Sequence, residues 1–269
     1  MYIVCMVLGE KCNWSCEYCD RPKIAIPKDV NFNLLKKYYP RIVDWVGDVP
    51  LHISGGETAL VDKEILDYIF SFDKKVVVET NGLWFEKGYY RLYYDGIEKI
   101  TYHCVPEVDK DIKFNFMMSD KIEYLIVVHH SNIHMIKNFI ERHASQKWVL
   151  QYYYPKYLGD NKKFMLTTGD YFELALNFSE LIDKRELIKR VTIPKNIDEL
   201  REKCFSKFNF PGFDFVNGRI KFCKQSHSFT DYVSLNDYNF NLLIEGKLKS
   251  VKKMDDVCRT CIEVVRYTS

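Results

Sequence analysis

The sequence contains no long hydrophobic run, and this absence sets the first limit on what the protein can do. No apolar stretch approaches the ~20 residues needed to span a bilayer, so we expect no membrane partner. The apolar segment 2–8 is short, lacks a basic flank and leads directly into Gly9 and Glu10, which is typical of a strand and not of a signal peptide. The sequence therefore predicts a cytoplasmic protein.

A strong net charge is also missing. The chain has 39 Lys and Arg against 37 Asp and Glu, a formal charge of +2. This balance excludes a strongly basic protein that binds nucleic acid by charge alone, although it leaves room for a local basic groove. Internal repeats and low-complexity tracts are absent as well. With 47% hydrophobic residues over 269 positions, the chain can form a packed core in one large domain, or in one domain plus a small appendage.

Cysteine, in contrast, is abundant. An odd number of cysteines without an export signal argues against a disulfide framework, and clustered cysteines in a reducing compartment more often bind metal or do redox chemistry. The nine are Cys5, Cys12, Cys16, Cys19, Cys104, Cys204, Cys223, Cys258 and Cys261. Cys5 and Cys104 have no near partner in the sequence, and we expect them to be buried or incidental.

Short apolar runs rich in Val, Ile and Tyr alternate with amphipathic stretches over the first 155 residues. Strands are predicted at Ile3–Leu8, Leu51–Ser54, Val76–Thr80, Lys99–His103, Tyr124–His129 and Trp148–Tyr153. Helices are predicted at Asn33–Trp45, Lys63–Phe72, Glu86–Tyr94, Val108–Met117 and Ile133–Ala144. Strands that are apolar nearly throughout and alternate with helices predict an α/β fold of βαβ units, with the parallel sheet curled into a full or partial barrel. The chemistry of such folds lies at the carboxyl ends of the strands.

The pattern changes after Pro155. A helix is predicted over Thr167–Lys189, with Thr168 or Asp170 as its N-cap. Further on, two short runs flank Asn217-Gly218, and this dipeptide predicts a β-hairpin. Residues 1–155 are therefore assigned to the partial barrel, 156–194 to a helical linker and 195–269 to a small C-terminal unit with a hairpin and four cysteines.

Three cysteines follow the first predicted strand in the pattern C-x3-C-x2-C, formed by Cys12, Cys16 and Cys19. Their thiolates can converge on one metal centre. A structural zinc site needs four protein ligands, whereas three thiolates on a 4Fe-4S cluster leave one iron open for a cosubstrate. Zinc with a distant fourth ligand and unrelated buried cysteines are the alternatives.

This spacing, the aromatic Tyr18 before the third cysteine and the position after the first strand together resemble the radical S-adenosylmethionine (SAM) superfamily. The resemblance implies a (β/α)6 partial barrel and a 4Fe-4S cluster on the three cysteines. It also implies that the open iron chelates SAM, that the reduced cluster cleaves SAM to a 5′-deoxyadenosyl radical, and that Tyr18 contacts the adenine. The radical would then abstract a hydrogen atom from the substrate.

Two later motifs match the same family. Gly55, Gly56 and Glu57 end the second strand and resemble its Gly-Gly-Glu motif, in which the carboxylate would accept hydrogen bonds from the SAM ammonium group. Thr80 and Asn81 close the third strand within a Thr-Asn-Gly sequence that is common in the family, and they either contact SAM or form a simple strand-to-loop turn. Polar residues at later strand ends are candidates for the catalytic base, namely His103, His129, His130 and Tyr152.

A second cysteine set lies in the last third of the chain. Cys204, Cys223, Cys258 and Cys261 are spaced as C-x13-G-x4-C followed by a distant C-x2-C. A zinc ribbon fits this set. The spacing also resembles the Twitch domain, the shortened form of the SPASM domain, which implies a closed auxiliary 4Fe-4S cluster that accepts an electron. The resemblance therefore implies two 4Fe-4S clusters with SAM, and an electron donor such as flavodoxin or ferredoxin.

These observations predict an oxidoreductase that carries out a net oxidation, or another modification, of a small molecule. Peptide and nucleotide or nucleic-acid-base modification are the alternatives; the peptide option is weaker because no peptide-binding segment precedes the first strand. An isomerase that regenerates SAM, and a non-catalytic zinc or iron–sulfur binding module, are further alternatives.

Overall fold

Nine strands form one mixed sheet in the part of the chain that the computed structural model describes. That part comprises residues 4–19, 25–106, 120–142, 148–152, 162–164, 166–177, 211–221 and 232–248. The strands are β1 (Val4–Val7), β2 (Leu51–Ser54), β3 (Val76–Thr80), β4 (Ile97–Cys104), β5 (Ile122–Val128), β6 (Trp148–Tyr152), β7 (Gly212–Asp214), β8 (Arg219–Lys221) and β9 (Tyr232–Ser234). The helices are α1 (Phe32–Val46), α2 (Lys63–Phe70), α3 (Leu83–Glu86), α4 (Tyr89–Leu92), α5 (Ile133–Arg142), α6 (Thr168–Asn177) and α7 (Asp237–Ile244).

The sheet has the order β6-β5-β4-β3-β2-β1-β7-β8-β9. Strands β1 to β6 pair in sequence order and all run parallel. Consecutive parallel strands need crossover connections, and α1, α2 and α5 lie in three of them. This confirms the predicted α/β class with a parallel sheet. Among the described strands the pairing runs from β6 to β9 without closing into a ring. The carboxyl ends of the parallel strands β1 to β6 share one edge.

One face of the sheet is packed against helices. On this face Val4, Met6, Ile53 and Val78 are at most 1% exposed. They form a single hydrophobic cluster with apolar side chains of α1 and α2, including Leu35. Burial of these apolar surfaces holds the sheet and the helices together and fixes the positions of the strand ends.

The observed bounds agree closely with the predicted strands. Strands β2 and β3 begin and end at the predicted residues, and the other four predicted strands differ by one or two residues at an end. The predicted helix Glu86–Tyr94 is instead two four-residue helices, α3 and α4, interrupted at Gly88, which has φ +71°. The predicted helix Val108–Met117 lies outside the described residues.

The N-cap prediction for α6 was wrong. The prediction was Thr168 or Asp170, but the helix begins at Thr168, and the hydroxyl of Thr167 accepts a hydrogen bond of 3.2 Å from the backbone nitrogen of Asp170. The Asp170 carboxylate accepts one of 2.7 Å from the backbone nitrogen of Thr167. This reciprocal pair is a capping box, and it places Asp170 inside the first turn. The predicted continuation of this helix beyond Asn177 lies outside the described residues.

The predicted hairpin around Asn217-Gly218 is confirmed, because β7 and β8 pair antiparallel on either side of it. Strand β7 also pairs in parallel with β1, so the hairpin extends the sheet of the first 155 residues. The domain boundaries at 155 and 194 stay predictions. Within the described residues, no helix is both long and apolar enough to cross a bilayer.

Candidate functional site

The Cys12–Cys19 loop leaves the sheet at the carboxyl end of β1. Cys12 is exposed, whereas Cys16 and Cys19 are half-buried. The backbone nitrogen of Cys19 donates to the carbonyl of Cys16 at 3.0 Å, and the backbone nitrogen of Trp14 lies 3.4 Å from the Cys12 sulfur. The loop therefore turns back on itself and gathers its three thiols in one region.

The electrostatics of the loop show that the three thiols lie near one another. Burial, together with the neighbouring Cys19 and Cys12 thiols, raises the pKa of Cys16 to about 11. Partial burial of the Cys12 thiol likewise raises its pKa, and the charges of Glu57 and Cys19 add to the effect. Three thiolates so placed repel one another, and a bound cationic centre would remove that penalty.

The donor chemistry of this loop therefore fits a thiolate-ligated metal centre. Within the described residues, no group of three His, Cys, Asp or Glu side chains already has the arrangement of a metal site. Cys12, Cys16 and Cys19 are the residues that would hold such a centre, each supplied by the same loop. The second predicted cysteine set, Cys204, Cys223, Cys258 and Cys261, lies outside the described residues.

The Gly-Gly-Glu segment packs directly on the backbone that precedes Cys12. The backbone nitrogens of Gly56 and Glu57 donate to the carbonyls of Gly9 and Lys11 at 2.9 and 2.7 Å. A Cβ atom on Gly56 would lie 1.8 Å from the Lys11 carbonyl oxygen, and one on Gly55, which has φ +148°, would lie 2.5 Å from the Gly9 oxygen. The two glycines are thus required for contact between two backbone segments, whatever ligand lies nearby.

The Glu57 carboxylate is 2% exposed and is engaged by protein donors. Its Oε1 accepts from the Ala59 nitrogen and the Thr80 hydroxyl, both at 2.9 Å, and its Oε2 accepts from the Asn81 nitrogen at 2.7 Å. Burial raises the pKa of Glu57, and these three hydrogen bonds oppose the rise. A carboxylate offers about four lone-pair sites, so these donors leave about one for a ligand ammonium group.

Thr80 and Asn81 connect Glu57 to the cysteine loop. The Thr80 hydroxyl, besides donating to Glu57, accepts from the backbone nitrogen of Gly82 at 3.1 Å and is buried. The side-chain nitrogen of Asn81 lies 2.7 Å from Asn13 Oδ1 and 3.7 Å from Cys12 Sγ. The three sequence motifs therefore form one hydrogen-bonded unit at the carboxyl ends of β1, β2 and β3.

Of the predicted base candidates, His129 lies against the cysteine loop. Its ring centroid is 5.3 Å from that of Tyr18 and 5.0 Å from that of Phe164, and the residue is 2% exposed. The neighbouring His130 is half-exposed, and its Nδ1 lies 2.8 Å from Asp170 Oδ2. The two adjacent histidines thus have different surroundings, one among aromatic rings and the other beside a carboxylate.

The other two base candidates lie on the strands themselves. His103 occupies the second-last position of β4, in register with Leu125 of β5. Tyr152 ends β6, in register with Val128. Cys104 is 4% exposed, as expected of a buried cysteine, and the Cys5 sulfur lies 3.2 Å from the Ser54 hydroxyl.

Sequence reasoning missed the pair formed by His52 and Glu79. His52 Nε2 lies 3.1 Å from Glu79 Oε1, and the side chains are 7% and 28% exposed. Successive side chains of a strand point to opposite faces of the sheet, so His52 and Glu79 lie on the face opposite to that of Ile53 and Val78. His52 lies among the apolar residues of β2, and this position could have indicated the pair from the sequence. An ionisable side chain that is buried on a central strand of a parallel sheet needs a polar partner.

Comparisons with known proteins were made for the whole chain. No model of a known protein family matches it, and no curated protein is similar to it in sequence. Among solved structures, it is similar to the crystal structure of BtrN in complex with AdoMet and 2-DOIA, with a TM-score of 0.51 and 13% identity. The similarity covers 99% of this chain and 88% of the BtrN chain. At this identity the likeness shows a shared fold.

Proposed function

We propose that this chain is a radical SAM enzyme. The observation that carries the proposal is the hydrogen-bonded unit at the carboxyl ends of β1, β2 and β3. There a loop with three cysteines is tied through Gly56 and Glu57 to one strand end and through Asn81 to the next. The carboxyl edge of a parallel sheet is where α/β folds bind ligands. The similarity in fold to BtrN, whose structure holds AdoMet, supports the assignment.

In this proposal Cys12, Cys16 and Cys19 hold a 4Fe-4S cluster with one iron open. When bound, the reduced cluster and SAM supply a 5′-deoxyadenosyl radical that abstracts a hydrogen atom from the substrate. Glu57 keeps the strand ends in place and offers its remaining lone pair to the SAM ammonium group. Tyr18, whose ring contacts that of His129, is the residue that would contact the adenine.

The proposed substrate is a small polar molecule. The sheet face opposite the packed helices carries Cys5, His52 and Glu79, and Glu79 is partly exposed there. Hydroxyl or amino groups of a small molecule can bind to such side chains. A peptide, a nucleotide or a nucleic-acid base is the alternative substrate.

A net oxidation of that molecule is the proposed outcome. It requires a base for the substrate proton and an acceptor for one electron. His103, His129, His130 and Tyr152 are the candidates for the base. A second 4Fe-4S cluster on Cys204, Cys223, Cys258 and Cys261 is the proposed electron acceptor, and flavodoxin or ferredoxin the proposed donor to the first cluster.

The test is SAM cleavage by the full chain. Protein reconstituted without oxygen should bind about eight irons, as expected for two four-iron clusters, and should form 5′-deoxyadenosine when reduced with SAM present. Cys16→Ala should abolish that product. Cys5→Ala is the matched control, because Cys5 lies within β1 and outside the loop, and it should keep the activity.

Three results would contradict the proposal or a part of it. A colourless protein that binds zinc and does not cleave SAM would identify a non-catalytic metal-binding module. Four irons with one zinc would remove the second cluster and its electron-transfer role. Formation of product without net consumption of SAM would identify an isomerase-type reaction.

A further inference from the structure

Asn81 makes a contact that the proposed function does not require. Its side-chain nitrogen lies 3.7 Å from the sulfur of Cys12, a residue 69 positions earlier in the chain. The same amide group donates to Asn13 Oδ1 at 2.7 Å. The backbone nitrogen of Trp14 is a second donor to this sulfur, at 3.4 Å. Cys12 therefore receives two N–H donors, one from its own loop and one from the end of β3.

The position of Asn81 is fixed from two sides. Its backbone nitrogen donates at 2.7 Å to the buried Glu57 carboxylate, which also binds Thr80 and Ala59. Its side chain is fixed by the short contact to Asn13. An amide held at both ends keeps its N–H groups in one orientation, which is what a donor to a weak acceptor such as sulfur requires.

We propose that Asn81 is a positioning residue for the Cys12 thiolate, and that its N–H···S hydrogen bond raises the reduction potential of the cluster held by Cys12. The inference rests on the proposed function, because it needs a cluster on the cysteine loop. Hydrogen bonds to ligand sulfurs are one of the factors that set the reduction potential of a cluster. They stabilise the reduced cluster, which carries more negative charge than the oxidised one, and so raise the potential. Groups outside the ligand set also orient the ligands themselves.

The test compares the reduction potential of the cluster in matched variants of the full chain. Asn81→Leu introduces a side chain of similar size that has no N–H group to donate to Cys12. Asn81→Asp keeps the shape of the side chain but places a carboxylate oxygen where the amide nitrogen was. Both keep the backbone nitrogen that binds Glu57. Ser15→Ala is the control, since Ser15 is an exposed residue of the same loop and its replacement leaves both donors to Cys12 and the contact between Asn81 and Asn13 in place.

The measured quantity is the midpoint potential of the first cluster, followed by electron paramagnetic resonance during a redox titration without SAM. Cys258→Ala is used as the background in every variant to remove the proposed second cluster. We expect the potential to become more negative in Asn81→Leu, more negative still in Asn81→Asp because of the added charge, and to stay near the parent value in Ser15→Ala. If Asn81→Leu does not fold, Asn81→Asp decides the question.

The inference is wrong if an Asn81 variant carries as much iron as the parent protein and has the same potential. That result would not affect the proposed function, which SAM cleavage by the parent protein would still support. A parent protein that assembles no cluster on Cys12, Cys16 and Cys19 overturns both. A potential that moves equally in Ser15→Ala and Asn81→Leu also overturns the inference, because the effect would then come from a general disturbance of the loop.

Discussion

The rings of Tyr18 and His129 lie 5.3 Å apart with their planes tilted by 49°. Tyr18 belongs to the loop after β1 and His129 follows β5. This contact therefore joins the cysteine loop to a strand four positions away from β1 in the sheet. The ring centroid of Phe164 lies 5.0 Å from that of the same imidazole. The imidazole of His129 thus contacts two aromatic rings.

This packing predicts a structural role for His129. His129→Phe should keep cluster binding and SAM cleavage, because a phenyl ring preserves the contacts with Tyr18 and Phe164. His129→Ala should lower the free energy of unfolding by about 2–4 kcal/mol, as other truncations of large buried side chains do. Urea unfolding and 5′-deoxyadenosine formation measure the two effects. Loss of SAM cleavage in a stably folded His129→Phe protein would instead indicate a chemical role.

The contact between the Gly-Gly-Glu segment and Lys11 predicts that Gly56 cannot be replaced. In Gly56→Ala the new Cβ would lie 1.8 Å from the Lys11 oxygen, so the segment before Cys12 must move. We expect loss of iron binding at the cysteine loop, measured as iron per chain after reconstitution. Gly9→Ala is the matched control on the same segment, because its Cβ would meet only Val61 Cγ2, at 3.8 Å. Equal iron loss in both variants would contradict the prediction.

The three hydrogen bonds to Glu57 predict that this residue stabilises the chain even without a ligand. Glu57→Gln replaces one acceptor oxygen with a donor nitrogen, which leaves at least one buried N–H or O–H group unpaired. We expect the free energy of unfolding to fall by about 1–3 kcal/mol in the absence of SAM and metal. Glu98→Gln, at an exposed position of β4, should change it little. If Glu57 acted only on SAM, both substitutions would have equal effects in the apoprotein.

The pair formed by His130 and Asp170 predicts a dependence of stability on pH. Burial acts to raise the pKa of Asp170, but the hydrogen bonds from Thr167 and His130 outweigh it and lower the pKa below its ordinary value. A carboxylate with a lowered pKa stabilises the folded state above its ordinary pKa of 3.8, and this contribution is lost as the pH falls through the lowered value.

Asp170→Ala should therefore lower the free energy of unfolding by about 1 kcal/mol near neutral pH, as expected for loss of a capping interaction. The difference from the parent chain should shrink steadily as the pH falls below 3.8. Urea unfolding of both proteins across this range measures it. Thr167→Ser keeps the capping hydroxyl and serves as the control, and a difference that does not change with pH would contradict the assignment.

Much of the fold could be predicted from the sequence because its signals are local. Strands β2 and β3 are short runs made mostly of apolar residues that end in Ser54 and Thr80, and the bounds of both strands were predicted correctly. The Asn217-Gly218 hairpin follows from a two-residue turn preference in the same way. The cap of α6 was predicted one or three residues too late, at Thr168 or Asp170. Neighbouring polar residues can all accept a backbone hydrogen bond, and only the geometry identifies Thr167.

The sequence by itself determined the α/β class, the succession of strands and helices along the first 155 residues, and the position of three cysteines after β1. These features follow from periodicity and motif spacing in consecutive residues. Only the tertiary structure decided that Asn81 donates to Cys12, that Glu57 is largely satisfied by protein donors, and that His52 pairs with Glu79. These contacts join residues from different strands, and they depend on side-chain directions and distances that arise when the sheet packs against its helices.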